Sequence, residues 1–286
     1  MTDDDAGLAP VARLRARFHG AMLGLAVADA LATPAQWSRP GSAPPIRDLI
    51  GGGPHDLPRG AWRADTAMAL CTAASLSARG RYERDAELAE LRAWQREGAH
   101  SATGECVGIT AGVAHALVNG APSIDIDDGL DACVRAIPIA LFHFADSAAR
   151  EQALATSAAL TSREPVTSAR VRIFVAALRA ALHGDERAWR SIWDDLGEAQ
   201  VVTEPRLIVR QILFGESTWK DAALAAANLG GEAQGIPALV GALAGARYGV
   251  EAIPLAWRES VAHATLLRER SDGLLADALV ELAGLA

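Results

Sequence analysis

The sequence predicts an all-α fold. Apolar residues recur at spacings of three and four along most of the chain, and the Val-Ile-Thr alternation that marks strands is nearly absent. Half of the 286 residues are hydrophobic but only 5% are aromatic. An apolar content dominated by Ala, Leu, Val and Ile supplies a sizeable core, lets helices approach closely, and excludes a disordered chain.

The first helix is predicted over residues 11–32, ending before Pro34. Residues 1–10, which open on MTDDD, are expected to be flexible. The second spans 65–78 and is closed by Gly80, just past its last periodic residue. Helices follow over 85–97, 107–118, 128–144, 148–160 and 165–182, then over 186–196, 204–214, 219–228, 236–248 and 271–282. The longest irregular segment, 38–63, carries GSAPP and GGGP, and loops of that length are usually functional or mobile. No linker-like stretch and no fixed-period repeat interrupts the chain, so residues 1–286 read as one domain.

Net charge of −8 and a pI near 5.4 argue against nucleic-acid binding, which rests on basic surface. Cys71, Cys106 and Cys133 are far apart and odd in number, which indicates neither a disulfide framework nor a zinc site. The acidic start lacks the basic region of a secretory signal, and the apolar segment 21–35 is broken by Asp29 and too short to span a bilayer. The expectation is a cytoplasmic protein with no membrane contact. Generic motifs are silent: the GGGP at 51–54 lacks a strand before it and a helix after it, and no two histidines lie three or four residues apart.

Five segments in order carry a resemblance. They are RFHGAMLGLAVADALATP at 17–34, GGGPHDLPRGAWRADTAMAL at 51–70, SATGECVGITAGVAHAL at 101–117, VRAIPIAL at 134–141 and AANLGGEAQGIPALVGALAGARYGVEAIPLAW at 226–257. Together they resemble the ADP-ribosylglycohydrolase family. That resemblance implies a compact orthogonal multi-helix bundle, an ADP-ribose or other nucleotide-type ligand, and a pair of magnesium ions held by Thr-Asp-Asp from the second segment and Asp-x-Asp-Thr from the last.

The departures fall on the implied metal site. Where the family has Thr-Asp-Asp this chain has Arg63-Ala64-Asp65, and where it has Asp-x-Asp-Thr this chain has Glu232-Ala233-Gln234-Gly235. Gln36 stands in place of a Glu, Gly108 in place of an Asp, and Ser162 in place of a His. Two dications carry +4, and two candidate carboxylates bring at most −2. The expectation is therefore no magnesium pair and no metal ligand set, with Arg63 supplying positive charge beside Asp65 and Glu232.

Asp65 and Glu232 are the catalytic candidates if activity survives. Asp29, Gly52, Gly53, Arg63, Ser101, Gly104 and Gln234 are the candidates for substrate binding. The leading reading is a protein degenerate as a dimagnesium hydrolase that binds a nucleotide- or ribose-type small molecule or a protein partner. The alternatives are an active glycosidase using Asp65 or Glu232 with one metal ion or none, and a scaffold whose cleft is filled.

Overall fold

The predicted periodicities resolve into thirteen α-helices among the described residues. The structure is a computed structural model describing residues 3–39, 41–42, 44–123, 129–194, 204–231 and 235–284, the first seven of these by backbone alone. Strands are absent among these residues, where isolated bridges join Gln36 to Gly231 and Gly52 to Leu57.

The centre of the bundle is a contact between two glycine-marked helices. α1 (Asp3–Ala32) begins well before residue 11. It lies against α11 (Ile236–Tyr248) so closely that a Cβ on Gly20 would fall 2.1 Å from the Gly245 carbonyl oxygen. A Cβ on Gly24 would fall 2.3 Å from that of Gly241. No side chain fits between these backbones, so glycine is required on both faces. The pairing of Gly20 with Gly245 and Gly24 with Gly241 makes the helices antiparallel. The C-terminal end of α1 therefore meets the N-terminal end of α11.

Around this pair pack α5 (Leu130–Phe142), α7 (Pro165–His183), α10 (Trp219–Ala227) and α13 (Ala264–Leu282). α2 (Ala64–Arg79) packs on α5 and on α3 (Arg84–Glu97), and a smaller apolar cluster that includes Met68, Leu91, Trp94 and Leu117 joins them to α4 (Ala111–Asn119). α6 (Ser147–Thr161) lies beside α5, while α8 (Glu186–Asp194), α9 (Pro205–Gly215) and α12 (Leu255–Ser260) complete the bundle. α12 was not predicted, because six residues give too few turns for a period to register. α4 starts later than predicted, at the cap where the Thr110 hydroxyl accepts from the Val113 N–H.

One internal charge cluster has no signature in the sequence. Glu87 of α3 and Arg135 of α5 are both fully buried. Glu87 Oε1 accepts from the hydroxyls of Thr72 at 2.7 Å and Ser157 at 2.9 Å, and Oε2 accepts from Tyr82 at 2.7 Å. Arg135 lies 3.6 Å from Glu87 Oε1 and 3.3 Å from Asp131 Oδ2, and donates to the Thr161 hydroxyl at 2.6 Å. Burial, reinforced by the Glu87 charge, pushes the Tyr82 hydroxyl far above its ordinary pKa, so it remains a donor. This cell ties α2, α3, α5 and α6 together.

Among the described residues no helix is long and apolar enough to cross a membrane.

Candidate functional site

Asp29 sits three residues before the end of α1 and is fully buried. It faces the start of α2, whose first backbone N–H groups have no partner within their own helix. The N-cap residue, Arg63, makes no side-chain cap, so the cap comes from another helix. Asp29 Oδ2 accepts from the backbone N–H of Arg63 at 3.1 Å, the backbone N–H of Thr66 at 3.1 Å and the Thr66 hydroxyl at 2.8 Å. Its Oδ1 accepts from Arg63 Nε at 2.9 Å. The helix dipole of α2 adds to the stabilisation of this negative charge.

Asp65, in the first turn of α2, points toward α11. Its Oδ2 accepts from the Gly235 N–H at 3.0 Å, across the chain from residue 65 to the residue that caps α11. Arg63 lies between the two carboxylates: its guanidinium is bonded to Asp29 and its Nη2 stands 3.9 Å from Asp65 Oδ2. Only 5% of Arg63 is exposed. The guanidinium stands beside Asp65 as expected from sequence, and its nearest described partner is Asp29, which the sequence did not pair with it. Asp29 holds the guanidinium because it reaches the same backbone turn from which the Arg63 side chain leaves. Glu232 and Gln234 lie outside the described residues. Their neighbours Gly231 and Gly235 contact Trp37 and Asp65 respectively.

Gln36 follows a short 3-10 turn at the end of α1 and is 5% exposed. Trp37 N–H donates to the Gly231 carbonyl at 2.9 Å and Gly231 N–H to the Ser38 carbonyl at 2.6 Å, which fastens this loop beside α11. Both Gln36 side-chain amide atoms and Arg63 Nη2 are buried with no hydrogen-bond partner among the described residues. Gln36 and Arg63 line a cavity of about 10 Å³, together with Ala226, Gly231 and Pro237. Trp37 itself is exposed, with its ring 5.2 Å from that of His55.

The remaining candidates are distributed around this centre. Gly53 packs its backbone against the Thr33 carbonyl, so the glycine loop supports the turn leading to Gln36. Gly52 pairs with Leu57 and faces open space. Ser101 and Gly104 close on each other: the Ser101 hydroxyl donates to the Gly98 carbonyl and accepts from the Gly104 N–H. Their described hydrogen bonds stay within that turn and do not reach Asp29, Arg63 or Asp65. Gly108 does approach, since a Cβ there would lie 3.4 Å from the Arg63 Cβ. The structure brings Asp29, Arg63, Asp65 and Gln36 together, with Thr66 as a contributor the sequence did not single out. Its only signal was its place in the Arg-Ala-Asp-Thr string.

A helical bundle whose α1, α2 and α11 ends converge on buried acids defines a class that comparison with known proteins identifies. The ADP-ribosylglycohydrolase profile matches residues 10–286, and the chain belongs to that family. It is 29% identical over 279 residues to the ADP-ribosylarginine hydrolase Tri1 of Pseudomonas putida, covering 86% of this chain and 74% of that protein. It is 28% identical over 289 residues to the ADP-ribosyl-[dinitrogen reductase] glycohydrolase of Rhodospirillum rubrum, covering 94% and 97%. A solved ADP-ribosylglycohydrolase-related protein complex superposes with a TM-score of 0.81 at 24% identity, over 93% of this chain and 99% of that one, which establishes the shared fold.

Proposed function

We propose that this chain is degenerate as a dimagnesium hydrolase and acts as a binding or regulatory protein for a ligand of ADP-ribose type. The observation that carries this reading is the position of Arg63. A guanidinium bonded to Asp29 and 3.9 Å from Asp65 supplies one positive charge at the place where the family resemblance implies metal ions.

The donor set argues in the same direction. Magnesium demands near-octahedral oxygen coordination, usually through carboxylates and waters. Asp29 already accepts four hydrogen bonds, and Asp65 Oδ2 accepts from Gly235. A dication beside them would have to displace or repel the buried guanidinium. Among the described residues, Asp29, Asp65 and Arg63 sum to −1, far from balancing two dications. The family relatives' activity on ADP-ribosylated substrates supports the ligand class, and the thiols Cys71, Cys106 and Cys133 support a reducing, cytoplasmic setting.

Thermal unfolding with ADP-ribose, with and without magnesium, tests the reading. A ligand at about 100 times its Kd stabilises the folded state by about 2.7 kcal/mol. A shift indifferent to magnesium is the expected result. A shift that requires magnesium, or turnover of ADP-ribosylarginine, would replace this reading with an active hydrolase.

A further inference from the structure

Given the ADP-ribose-type ligand proposed above, on which this step rests, we infer that Trp37 is a specificity-determining residue. Its indole, held at the mouth of the site, stacks on a planar cationic group joined to the ligand's ribose. Six of the seven tryptophans are at most 4% exposed, whereas Trp37 is 55% exposed. Trp37 also stands at φ 63°, in the left-handed region, where a bulky side chain is an outlier. The other non-glycine residues at positive φ among those described are Asp56, His100 and His263, types that tolerate it better. A lone exposed apolar side chain is ordinary. One that is also held in a costly backbone conformation is not, because glycine at position 37 would remove both costs.

The surroundings hold the residue in that conformation. Trp37 N–H donates to the Gly231 carbonyl at 2.9 Å, Gly231 N–H to the Ser38 carbonyl at 2.6 Å, and Ser38 N–H to the Ala35 carbonyl at 3.0 Å. Gln36 and Gly231, the chain neighbour and the bonded partner of Trp37, line the cavity that Arg63 also lines, which sets the Trp37 backbone at its rim. The His55 ring stands 5.2 Å from the indole at 64°, an edge contact that covers at most one of its two faces. Charge chooses what the other face takes. The face of an indole carries partial negative charge, and tryptophan is the best aromatic partner for a cation. Asp29, Arg63 and Asp65 sum to −1 and the chain as a whole to −8, which favours a cation over an anion. A guanidinium is a planar, delocalised cation that stacks on aromatic faces. Adenine is flat but uncharged, so the local charge gives it no advantage.

Titrations of the full chain without magnesium test this, with free ADP-ribose and with ADP-ribose joined through its ribose to arginine as the two probes. Trp37→Gly should weaken the arginine-linked probe about tenfold and leave free ADP-ribose within about twofold. Trp37→Tyr, which keeps an aromatic face, should retain most of the affinity. The stability of the unliganded protein supplies a sign. Relief of the left-handed strain should raise the melting temperature of Trp37→Gly by about 2–3 °C. A fall would mean that the indole serves packing, and it overturns the inference. Equal loss for both probes, or no loss for either, overturns it as well while leaving the ADP-ribose reading intact. Failure of the wild type to bind either probe refutes that reading and this inference together.

Discussion

The molecule contains two buried cells of the same formal composition, one arginine between two acids, and they are built in opposite ways. In the Asp29–Arg63–Asp65 cell the carboxylates are answered mainly by backbone N–H groups at helix starts. In the Glu87–Arg135–Asp131 cell Glu87 is answered by hydroxyls from Thr72, Ser157 and Tyr82. Both cells are buried and both keep polar atoms with no hydrogen-bond partner among the described residues, Arg63 Nη2 in the first and Arg135 Nε, Arg135 Nη1 and Asp131 Oδ2 in the second, while Arg63 of the first also lines a cavity. Buried charge alone therefore does not mark a site. What distinguishes the first cell is that its carboxylates hold the starts of two helices together beside a cavity that Arg63 lines.

The sharpest test of that contrast is to break both cells. Removing one partner of a buried ion pair costs about 3–5 kcal/mol, because the other charge stays buried and uncompensated. Arg135→Ala should fall in that range in urea denaturation. Asp29→Asn keeps an acceptor for the α2 N–H groups and leaves Arg63 facing Asp65. A loss of about 1–3 kcal/mol is expected, the scale of one impaired buried hydrogen-bond group. Equal losses would erase the distinction between the cells.

Single hydroxyls refine it. Thr66→Val deletes one bond to Asp29 and Thr72→Val one bond to Glu87, each worth about 1.5–3 kcal/mol as a bond to a charged group. Because Asp29 keeps its backbone donors, Thr66→Val should lie at the low end and Thr72→Val at the high end, measured by chemical denaturation. Reversal of that order would mean that the hydroxyls carry more of the Asp29 cell than its geometry implies.

The smallest effect comes from an exposed counterpart to both cells. Asp272 on α13 receives Arg15 at 2.7 Å and His19 at 2.7 Å, and the Arg15 hydrogen bond above all holds its carboxyl down to about 2. A carboxylate depressed on folding contributes stability that is present above its ordinary value near 3.8 and lost as pH falls toward 2. Melting temperature followed down through that window should decline less steeply in Asp272→Asn than in the wild type. Parallel curves would assign acid sensitivity to the buried cells instead.

Much of the fold was legible because long amphipathic segments repeat at the helical period and several end on a glycine, as α2, α3, α4 and α7 do. α13 was read from 271 although it begins at Ala264, because its first turns, ATLLRER, are capped by His263 and not by a residue with capping preference. In the site, Asp29 stood out as a lone acid ending an apolar helix, whereas Arg63, Asp65 and Gln36 were visible through the family resemblance alone. Glu87 was invisible. In the string RDAELAEL one acid of several at helical spacing reads as solvated, and only packing against α5 and α6 shows which one turns inward.

The glycine contact between α1 and α11 acts as a datum edge for everything beyond it. At a rise of about 1.5 Å per residue, Asp29 lies about 7.5 Å past Gly24, and Gly235 about 9 Å before Gly241. Two parts clamped backbone to backbone, with less than a methyl group of play, fix the gap between their free ends. The spacing between the acid on one helix and the first amide of the other is consequently machined by residues about one and a half turns away that carry no chemistry of their own.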